Sequence, residues 1–394
     1  MKQGWKYKKL GEICRFFSGF AFKSNKFTKN GMPIIRISDI QNGEINDTNV
    51  VYFNPSDYEQ DLSRYIIYPG EILIAMSGGT TGKIGKNKTS KEFYLNQRVG
   101  AFRENKSIIE HDYLFYYLLT KSKESLRIAA GAAQPNLSSA QINNFIIPVP
   151  PISEQERIVE RLDAAFAQID ELKSNAERQL AEARALFQSA LTQAMQPKPG
   201  WQEKTLGEIA TDMYRGSGIR RDQITKEGIP CVRYGEIYTT YNISFEDCVS
   251  HTLESSIASP KYFEHGDLLF AITGESVEDI GKTIAYMGNE KCLLGGDIIC
   301  MKHNQNPKFL SYALSTTDAI KQKGLGKTKL KVVHTNAPSL KAIRIPLPPL
   351  SEQQSIVEQL DSISTNISLL EEINQKIKPD CDAMKQALLR QIFE

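Results

Sequence analysis

The chain has 394 residues, of which 41% are hydrophobic and 24% charged, and its formal net charge is +2. A chain of this length can bury two or more cores, so at least two domains are expected. The nearly balanced charge excludes a generally polybasic protein, and any basic surface must come from local clustering.

The N-terminal stretch "MKQGWKYKKLGEICRFFSGFAF" is basic and aromatic. It has no long apolar run and no small-residue cleavage site, which argues against a signal peptide. No window contains 18 uninterrupted apolar residues, so neither a transmembrane helix nor a membrane partner is expected. The six cysteines include no C-x-x-C pair, which favours buried, reduced thiols and a cytoplasmic location.

The two halves of the chain are repeats of one another, about 200 residues apart. A period this long indicates duplicated domains and not a solenoid of short units. The matching segments are "WKYKKLGEI" (5–13) with "WQEKTLGEI" (201–209), "GMPIIRISDI" (31–40) with "GIPCVRYGEI" (228–237), and "PGEILIAMSG" (69–78) with "HGDLLFAITG" (265–274).

The first part of each repeat mixes short β-rich runs, such as "MPIIRI" and "DLLFAIT", with turns rich in Gly, Asn and Asp. A helical patch, "HDYLFYYLLTKSKESLR", follows the strands in the first repeat. These patterns predict an α+β globular domain in each repeat.

A proline pair then precedes a long helical segment in each repeat. The stretch "IPVPPISEQERIVERLD" (147–163) recurs as "IPLPPLSEQQSIVEQLD" (345–361), with 12 of 17 positions identical. The prolines predict an extended approach to the helix. Ser153 with Glu156, and Ser351 with Gln354, have the spacing of a capping box, which predicts that each helix begins there.

Apolar residues recur every three or four positions in both segments, so each predicted helix needs an apolar partner along its length. A helix from Ser153 to Ala194 would be roughly 60 Å long, and the two helices are expected to pair with each other. Pro379 is expected to kink or interrupt the second helix. The residues predicted to pack between the helices are Ile158, Leu162, Ile169, Leu172, Ile356, Leu360, Ile363, Ile367 and Leu370.

Motifs for catalysis are incomplete in this sequence. "SGGTTGKIG" and "GESVEDIGKT" approach a phosphate-binding loop, but Ser77 replaces the first glycine, Ile84 replaces the hydroxyl, and Gly274 and Gly281 are too far apart. The five histidines lack metal-ligand spacing. We therefore predict no catalytic residues and no metal site in this chain.

Cationic and amide-rich loops recur at matching places in both repeats. Lysines suit phosphate neutralisation, while Arg, Asn and Gln can read base edges. Lysine runs are also typical of solvent-exposed loops, but their recurrence favours nucleic-acid contact. The candidate DNA-binding residues are Arg36, Ser77, Thr80, Thr81, Lys83, Lys86, Lys88, Asn96, Gln97, Arg98, Gln134, Arg215, Arg220, Arg221, Arg233, Tyr234, Thr273, Lys282, Lys327, Lys329, Lys331 and His334.

The paired "IPLPPLSEQ" element, following a β-rich domain that begins "W…LGEI", resembles the specificity subunit of type I restriction–modification systems over the whole chain. The resemblance implies two target-recognition domains, residues 1–150 and 197–348, and two conserved helices, residues 151–196 and 349–394. Each domain would read one half of a bipartite, asymmetric site in double-stranded DNA. The helices would form an antiparallel coiled coil whose length sets the spacer between the half-sites.

The resemblance also implies a non-catalytic chain that holds no cofactor. Two methyltransferase subunits and the restriction–translocase subunits would join it, with S-adenosylmethionine, ATP and Mg²⁺ on those partners. The loops "NQRVGAFR" and "GGDIICMK" occupy matching positions but differ, which predicts two different half-sites. Two alternatives stay open: a specificity component of a related two-component restriction system of another class, and a coiled-coil scaffold whose domains bind protein.

Overall fold

The structure is a computed structural model that describes residues 4–41, 43–130, 136–277, 279–326 and 333–393. The chain divides into two compact mixed α/β units. Unit 1 comprises Met1–Ala176 and Gln375–Glu394, and unit 2 comprises Glu177–Asn374. Within the described ranges, every helix is too short or too polar to cross a bilayer.

Unit 1 is built on a six-stranded sheet of order β2-β11-β8-β9-β5-β4, a four-stranded sheet of order β6-β3-β10-β7, and the pair β1-β12. Its strands are β1 (Lys6–Lys9), β2 (Cys14–Ser18), β3 (Met32–Ile35), β4 (Ile40–Gln41), β5 (Gly43–Ile45), β6 (Val51–Phe53), β7 (Ile66–Ile67), β8 (Ile72–Ala75), β9 (Ile84–Lys86), β10 (Phe93–Leu95), β11 (Val99–Glu104) and β12 (Ile146–Val149). Its helices are α1 (Leu10–Ile13), α2 (His111–Thr120), α3 (Ser122–Ala130), α4 (Ser139–Asn143) and the first part of α5 (Ile152–Ala194).

Unit 2 repeats this plan with two five-stranded sheets, β14-β24-β20-β22-β17 and β15-β18-β16-β23-β19, and the pairs β13-β26 and β21-β25. Its strands are β13 (Gln202–Thr205), β14 (Ala210–Arg215), β15 (Ile224–Thr225), β16 (Ile229–Val232), β17 (Ser244–Phe245), β18 (Ser250–Thr252), β19 (Tyr262–Phe263), β20 (Leu268–Ala271), β21 (Thr273–Gly274), β22 (Thr283–Tyr286), β23 (Cys292–Leu294), β24 (Ile298–His303), β25 (Val333–His334) and β26 (Arg344–Leu347). Its helices are α6 (Leu206–Ile209), α7 (Tyr234–Thr239), α8 (Pro307–Ala313), α9 (Thr317–Gly324), α10 (Ala337–Lys341) and the first part of α11 (Leu350–Phe393).

The strand β8 lies at the centre of three layers in unit 1. Its residues are all buried, as expected for a short, continuous apolar run with both faces covered. Successive side chains point to opposite faces: Ile72 and Ile74 join the cluster of helix α2, whereas Leu73 packs with Ile35 and Phe93 of the four-stranded sheet. The residues that follow β8 therefore leave the middle of the core.

The two long helices, α5 and α11, have the predicted extents to within a few residues. The helix α11 contains Pro379 in its interior, so the alternative that this proline interrupts the helix is wrong. A proline in a helix interior costs about 3 kcal/mol. Burial of Cys381 and Leu389 beyond the proline holds the following turns in helical conformation.

The capping boxes predicted at Ser153 and Ser351 are wrong. The carbonyl of Pro151 accepts the N–H groups of Glu154 at 2.9 Å and Gln155 at 3.1 Å, so the helix begins directly after the proline pair, at Ile152. Ser153 consequently lies exposed in the first turn. The second repeat begins in the same way.

A buried glutamine joins the first long helix to its globular part. Gln155 is 0% exposed, and its Oε1 accepts the backbone N–H of Glu110 at 2.8 Å. Its Nε2 donates to the carbonyls of Pro150 at 2.8 Å and Ile108 at 3.0 Å. This side chain therefore links the proline turn, the helix start and the loop that precedes α2.

The second repeat has the same glutamine bridge. Gln353 is 0% exposed, accepts the N–H of Asn306 at 3.0 Å, and donates to the Pro348 carbonyl and to Gln305 Oε1, both at 2.8 Å. The identity of the two "SEQ" segments thus corresponds to an identical bridge in each repeat.

An aspartate two turns later adds a second link in each repeat. The hydroxyl of Tyr116 donates to Asp163. In the other repeat, Asp361 accepts from the Tyr312 hydroxyl at 2.7 Å and from Lys308 Nζ at 2.8 Å. The repeated "LD" of the motif therefore ties the long helix to the helix of the globular part, α2 or α8.

Gln155→Ala should destabilise unit 1 by about 2–4 kcal/mol, because it leaves a buried N–H and two buried carbonyls without partners. Thermal unfolding followed by circular dichroism measures the effect. The matched control is Gln168→Ala, an exposed glutamine in the same part of α5, which should leave the midpoint unchanged. Equal shifts for both variants would contradict the bridge.

Candidate nucleic-acid interface

Three loops of unit 1 meet where β8 ends. The N–H of Asn96 donates to the Ile35 carbonyl at 3.0 Å, and the N–H of Met76 donates to the Arg98 carbonyl at 2.8 Å. The turn between β10 and β11 is thus bonded to the loop after β3 and to the loop after β8. We call residues 36–39, 76–83 and 96–98 the loop edge of unit 1.

The same main-chain arrangement occurs in unit 2. The N–H of Gly295 donates to the Val232 carbonyl at 2.9 Å, and the N–H of Ile272 donates to the Asp297 carbonyl at 3.0 Å. Residues 233–236, 272–274 and 295–297 form the loop edge of unit 2. The two edges share one backbone framework.

The side chains on the central turn differ between the units. In unit 1, Gln97 and Arg98 are exposed. In unit 2 the matching positions are Gly296 and Asp297, and Asp297 accepts from Arg215 Nη2 at 2.7 Å. The turn of unit 1 therefore presents amide and guanidinium groups. The turn of unit 2 presents the main chain of a glycine beside the ion pair of Arg215 and Asp297.

Each loop edge contains an arginine followed three residues later by an acid. The Asp39 carboxylate accepts the N–H of Arg36 at 2.8 Å, and the Glu236 carboxylate accepts the N–H of Arg233 at 3.0 Å. Both acids are buried. The sequence analysis identified the arginines but missed the acids, although the matching "RISD" and "RYGE" segments carry the signal.

Polar side chains also face each other across the loop after the central strand. In unit 2, Thr273 Oγ1 lies 3.1 Å from His334 Nδ1, because β21 pairs with β25. In unit 1, only the main chain of Ser77 makes the corresponding antiparallel β-bridge, to Asn136. Two predicted residues, Thr273 and His334, are thus brought together.

Other predicted residues of these loops have structural contacts. Thr81 is 1% exposed, its hydroxyl donates to the carbonyl three residues before it, and Thr80 is half-buried. Lys83 is exposed. Its counterpart Lys282 donates from Nζ to the Tyr241 carbonyl at 2.9 Å, and burial lowers the pKa of Lys282.

Lys86 and Lys88 do not join the loop edge. Lys86 pairs in register with Ile72 at the start of β8, about 10 Å from the end where the loops meet, at about 3.3 Å per strand residue. Lys86 forms an ion pair with Asp112, and Lys88 lies 3.4 Å from Glu44. These acids offset the positive charge that the sequence indicates.

Three further predicted residues of unit 2, Arg221, Arg233 and Tyr234, line a cleft of about 540 Å³. Arg220 is strongly exposed and lies 3.4 Å from Asp222. Four predicted residues lie outside the described ranges: Gln134, Lys327, Lys329 and Lys331.

The residues predicted for helix pairing differ in burial. Five are at most 6% exposed: Ile158, Leu162, Ile169, Ile356 and Leu360. Three are half-buried: Ile363, Ile367 and Leu370. Leu172 is 51% exposed, and this exposure does not support a role in packing between the helices.

Two side chains of unit 2 have strongly lowered pKa values because they are buried. Burial lowers the pKa of His303 to about 4 and that of Lys323 to about 7. Lys323 Nζ donates to the Leu314 carbonyl at 2.8 Å and to Thr283 Oγ1 at 3.1 Å. In the part of the chain that the structure describes, no three His, Cys, Asp or Glu side chains are grouped to hold a metal ion.

Two stretches of the chain, residues 2–182 and 198–379, match the model of the type I restriction modification DNA specificity domain. The chain is 25% identical over its whole length to the type I restriction enzyme StySPI specificity subunit of Salmonella potsdam, covering 89% of that protein. It is 24% identical to the EcoKI specificity subunit of Escherichia coli K12, with the same coverage of each chain.

Two solved structures share the fold. One, from a study of complex assembly and conformational transition of the type I R-M system, aligns with a TM-score of 0.74 at 20% identity, over 99% of this chain and 98% of that chain. The HsdS subunit of Thermoanaerobacter tengcongensis aligns with a TM-score of 0.58 at 21% identity, over 100% and 97% of the two chains.

Gly216→Ala should destabilise unit 2 by about 2 kcal/mol or more, because an added methyl group overpacks the turn of the loop edge. Its Cβ would lie 2.2 Å from the Gly295 carbonyl oxygen and 2.5 Å from that of Leu294. Gly218→Ala is the control, since no described atom lies within 4 Å of its added Cβ. Thermal unfolding that moves equally for both variants would count against this turn geometry.

Proposed function

The chain belongs to the type I restriction modification DNA specificity family, and we propose that each of its two repeats reads one half of a bipartite, asymmetric site in double-stranded DNA. It is a specificity subunit with two target-recognition domains. The observation that carries the proposal is the pair of loop edges, which share a hydrogen-bonded backbone but differ in side chains. A common framework with different groups suits the reading of two different half-sites.

The groups at the loop edge of unit 1 suit contact with base edges. Asn and Gln can bond adenine in a bidentate manner, and Arg can bond guanine. Asn96, Gln97 and Arg98 occupy one turn, and Lys83 is exposed on the neighbouring loop, where it would contact phosphate.

The long helices would pair as an antiparallel coiled coil. Asp170 lies 2.6 Å from Lys385 Nζ, and Arg184 lies 2.6 Å from Glu371. A step of 14 residues forward, from 170 to 184, matches a step of 14 back, from 385 to 371, as antiparallel pairing requires. Exposed ion pairs contribute only about 0.2–1 kcal/mol, so the apolar residues between the helices would supply the stability.

The domain bounds follow from this proposal. Residues 1–150 and 197–348 would be the target-recognition domains, and residues 151–196 and 349–394 the helices that connect and space them. The proline pairs that precede α5 and α11 support these bounds.

The chain would act in an assembly and have no catalytic activity of its own. Two methyltransferase subunits and the restriction–translocase subunits would supply methylation, cleavage and movement along DNA. The similarity to specificity subunits of type I restriction enzymes over the whole chain supports this assignment.

Arg98→Ala should weaken binding of the full-length chain to its selected duplex by roughly 10- to 100-fold, because a bidentate base contact is lost. Lys88→Ala should change affinity less than about twofold, since Lys88 lies away from the loop edge beside Glu44 and exposed ion pairs contribute little. Fluorescence anisotropy on a labelled duplex measures both affinities. A protein-binding scaffold would show no sequence-dependent affinity for DNA, and equal effects of the two substitutions would contradict the proposed site.

Insertion of seven residues in each helix, after Ala176 and after Asn374, tests whether helix length sets the spacer. Two helical turns add about 10 Å at about 1.5 Å per residue, close to three base pairs at about 3.4 Å each. The selected site should acquire a longer spacer, or specific binding should be lost. A matched insertion in an exposed loop is the control, and an unchanged spacer in the helix variant would refute the idea.

A further inference from the structure

The Glu236 carboxylate is the centre of a buried hydrogen-bond network in unit 2. Glu236 is 7% exposed, and its Oε2 accepts the main-chain N–H of Arg233 at 3.0 Å. Its Oε1 accepts Nε and Nη2 of the same arginine at 3.0 and 2.9 Å, and the Ser250 hydroxyl at 2.6 Å. The guanidinium is therefore held in one orientation before any ligand binds.

These bonds use one edge of the planar guanidinium and leave another edge available. The Nε hydrogen and one Nη2 hydrogen of Arg233 face Glu236, so the end-on edge keeps one hydrogen on Nη1 and one on Nη2. In the described part of the chain, Nη1 has no hydrogen-bond partner, and the side chain is 31% exposed.

Two parallel N–H donors match one base better than the others. Guanine presents two acceptors, O6 and N7, in the major groove, whereas adenine presents an acceptor and a donor. The available edge of Arg233 would therefore accept guanine and oppose adenine. Because the neighbouring carboxylate offsets the positive charge, the pair is also less suited to phosphate attraction than a free arginine.

The surroundings of Arg233 leave room for close approach of a ligand. Arg233 lines the cleft of about 540 Å³ together with Tyr234, Gly218, Gly235 and Gly296. At Gly218 and Gly235, an added Cβ would have no described atom within 4 Å. Packing within the chain therefore does not explain these glycines, whereas close approach of another molecule to the main chain does.

The first repeat provides an internal comparison. Asp39 caps the N–H of Arg36 at 2.8 Å, but its Oδ2 lies 3.6 Å from Arg36 Nε, beyond hydrogen-bond distance. Arg36 Nη2 instead donates to the Asn49 carbonyl at 3.4 Å. One methylene fewer in the acid keeps the main-chain cap but leaves only an ion pair with the guanidinium, without a hydrogen bond, so Glu236→Asp is a natural test of the contact.

We propose that Arg233 reads a guanine in the half-site bound by unit 2, and that Glu236 is the positioning residue that fixes the orientation of Arg233. The inference rests on the proposed function, since it names one base of the DNA that this function requires. It assigns the specificity of unit 2 to a hydrogen-bonded pair, of which the sequence analysis identified only one member.

The test is selection from a pool of DNA duplexes with randomised bases. The full-length chain and the variants R233A, E236D and R344A are each allowed to bind, and the bound duplexes are sequenced. The wild-type chain should select a bipartite site with a G·C pair at one position of one half. R233A should lose the guanine preference at that position by roughly 10- to 100-fold and keep every other preference.

Two further variants ensure that the conclusion does not depend on R233A alone. E236D should reduce the guanine preference at the same position. The main-chain cap is kept, so the chain should still fold, with a midpoint lowered by the loss of the buried bond from the Ser250 hydroxyl. R344A removes an exposed arginine of the same unit that forms an ion pair with Glu203 on the pair of strands β13 and β26, away from the loop edge, and should leave all base preferences unchanged. E236D alone decides the matter if R233A does not fold.

The outcomes separate this inference from the proposed function. If the wild-type chain selects no sequence, the function itself is wrong. If it selects a bipartite site but R233A and E236D keep the same base preferences, or weaken all duplexes equally, Arg233 contacts phosphate or nothing and the inference is overturned.

Discussion

The side-chain amide of one fully buried glutamine in each repeat holds the long helix to its globular part. Gln155 and Gln353 each bond a main-chain N–H of the loop before a domain helix and a carbonyl of the proline pair. A buried amide that lost these partners would be costly, so the turn into the helix has essentially one geometry. Every structural role of the helices, including their proposed pairing, depends on that fixed start.

The two loop edges share one backbone geometry but carry different side chains. Main-chain bonds, such as those from Asn96 to the end of β3 and from Gly295 to the end of β16, set the turn without help from exposed side chains. The exposed groups are then free to differ, as Arg98 and Asp297 do at matching positions. In each edge an acid accepts the main-chain N–H of an arginine. The longer Glu236 also accepts hydrogen bonds from the guanidinium, whereas the shorter Asp39 forms only an ion pair of 3.6 Å with it.

Repeats, long helices and the buried central strand could be predicted from the sequence, because identity at a fixed offset and apolar periodicity do not depend on remote contacts. The capping box predicted at Ser153 was wrong because the helix begins earlier than that spacing indicates. The Pro151 carbonyl accepts the first N–H groups of the helix, so Ser153 lies inside the first turn. Lys83 and Lys86 are close in sequence, but the strand β9 begins after Lys83 and ends at Lys86, which places the two lysines at opposite ends of β8. Two of the partners of Gln155 are more than 40 residues away in the sequence, and its local pattern does not indicate them. The arginine partner of Glu236 is only three residues away, and the signal was the recurrence of an acid at that spacing in "RISD" and "RYGE".

The shape of this turn depends on main-chain hydrogen bonds and on one closely packed glycine, Gly216 in unit 2 and Gly19 in unit 1. The backbone geometry can therefore be kept while the exposed side chains change. The exposed residues of such a turn, Gln97 and Arg98 in unit 1, could be exchanged during evolution without a change in the surrounding core. New target sequences would then arise by small substitutions in a gene whose product keeps its assembly contacts.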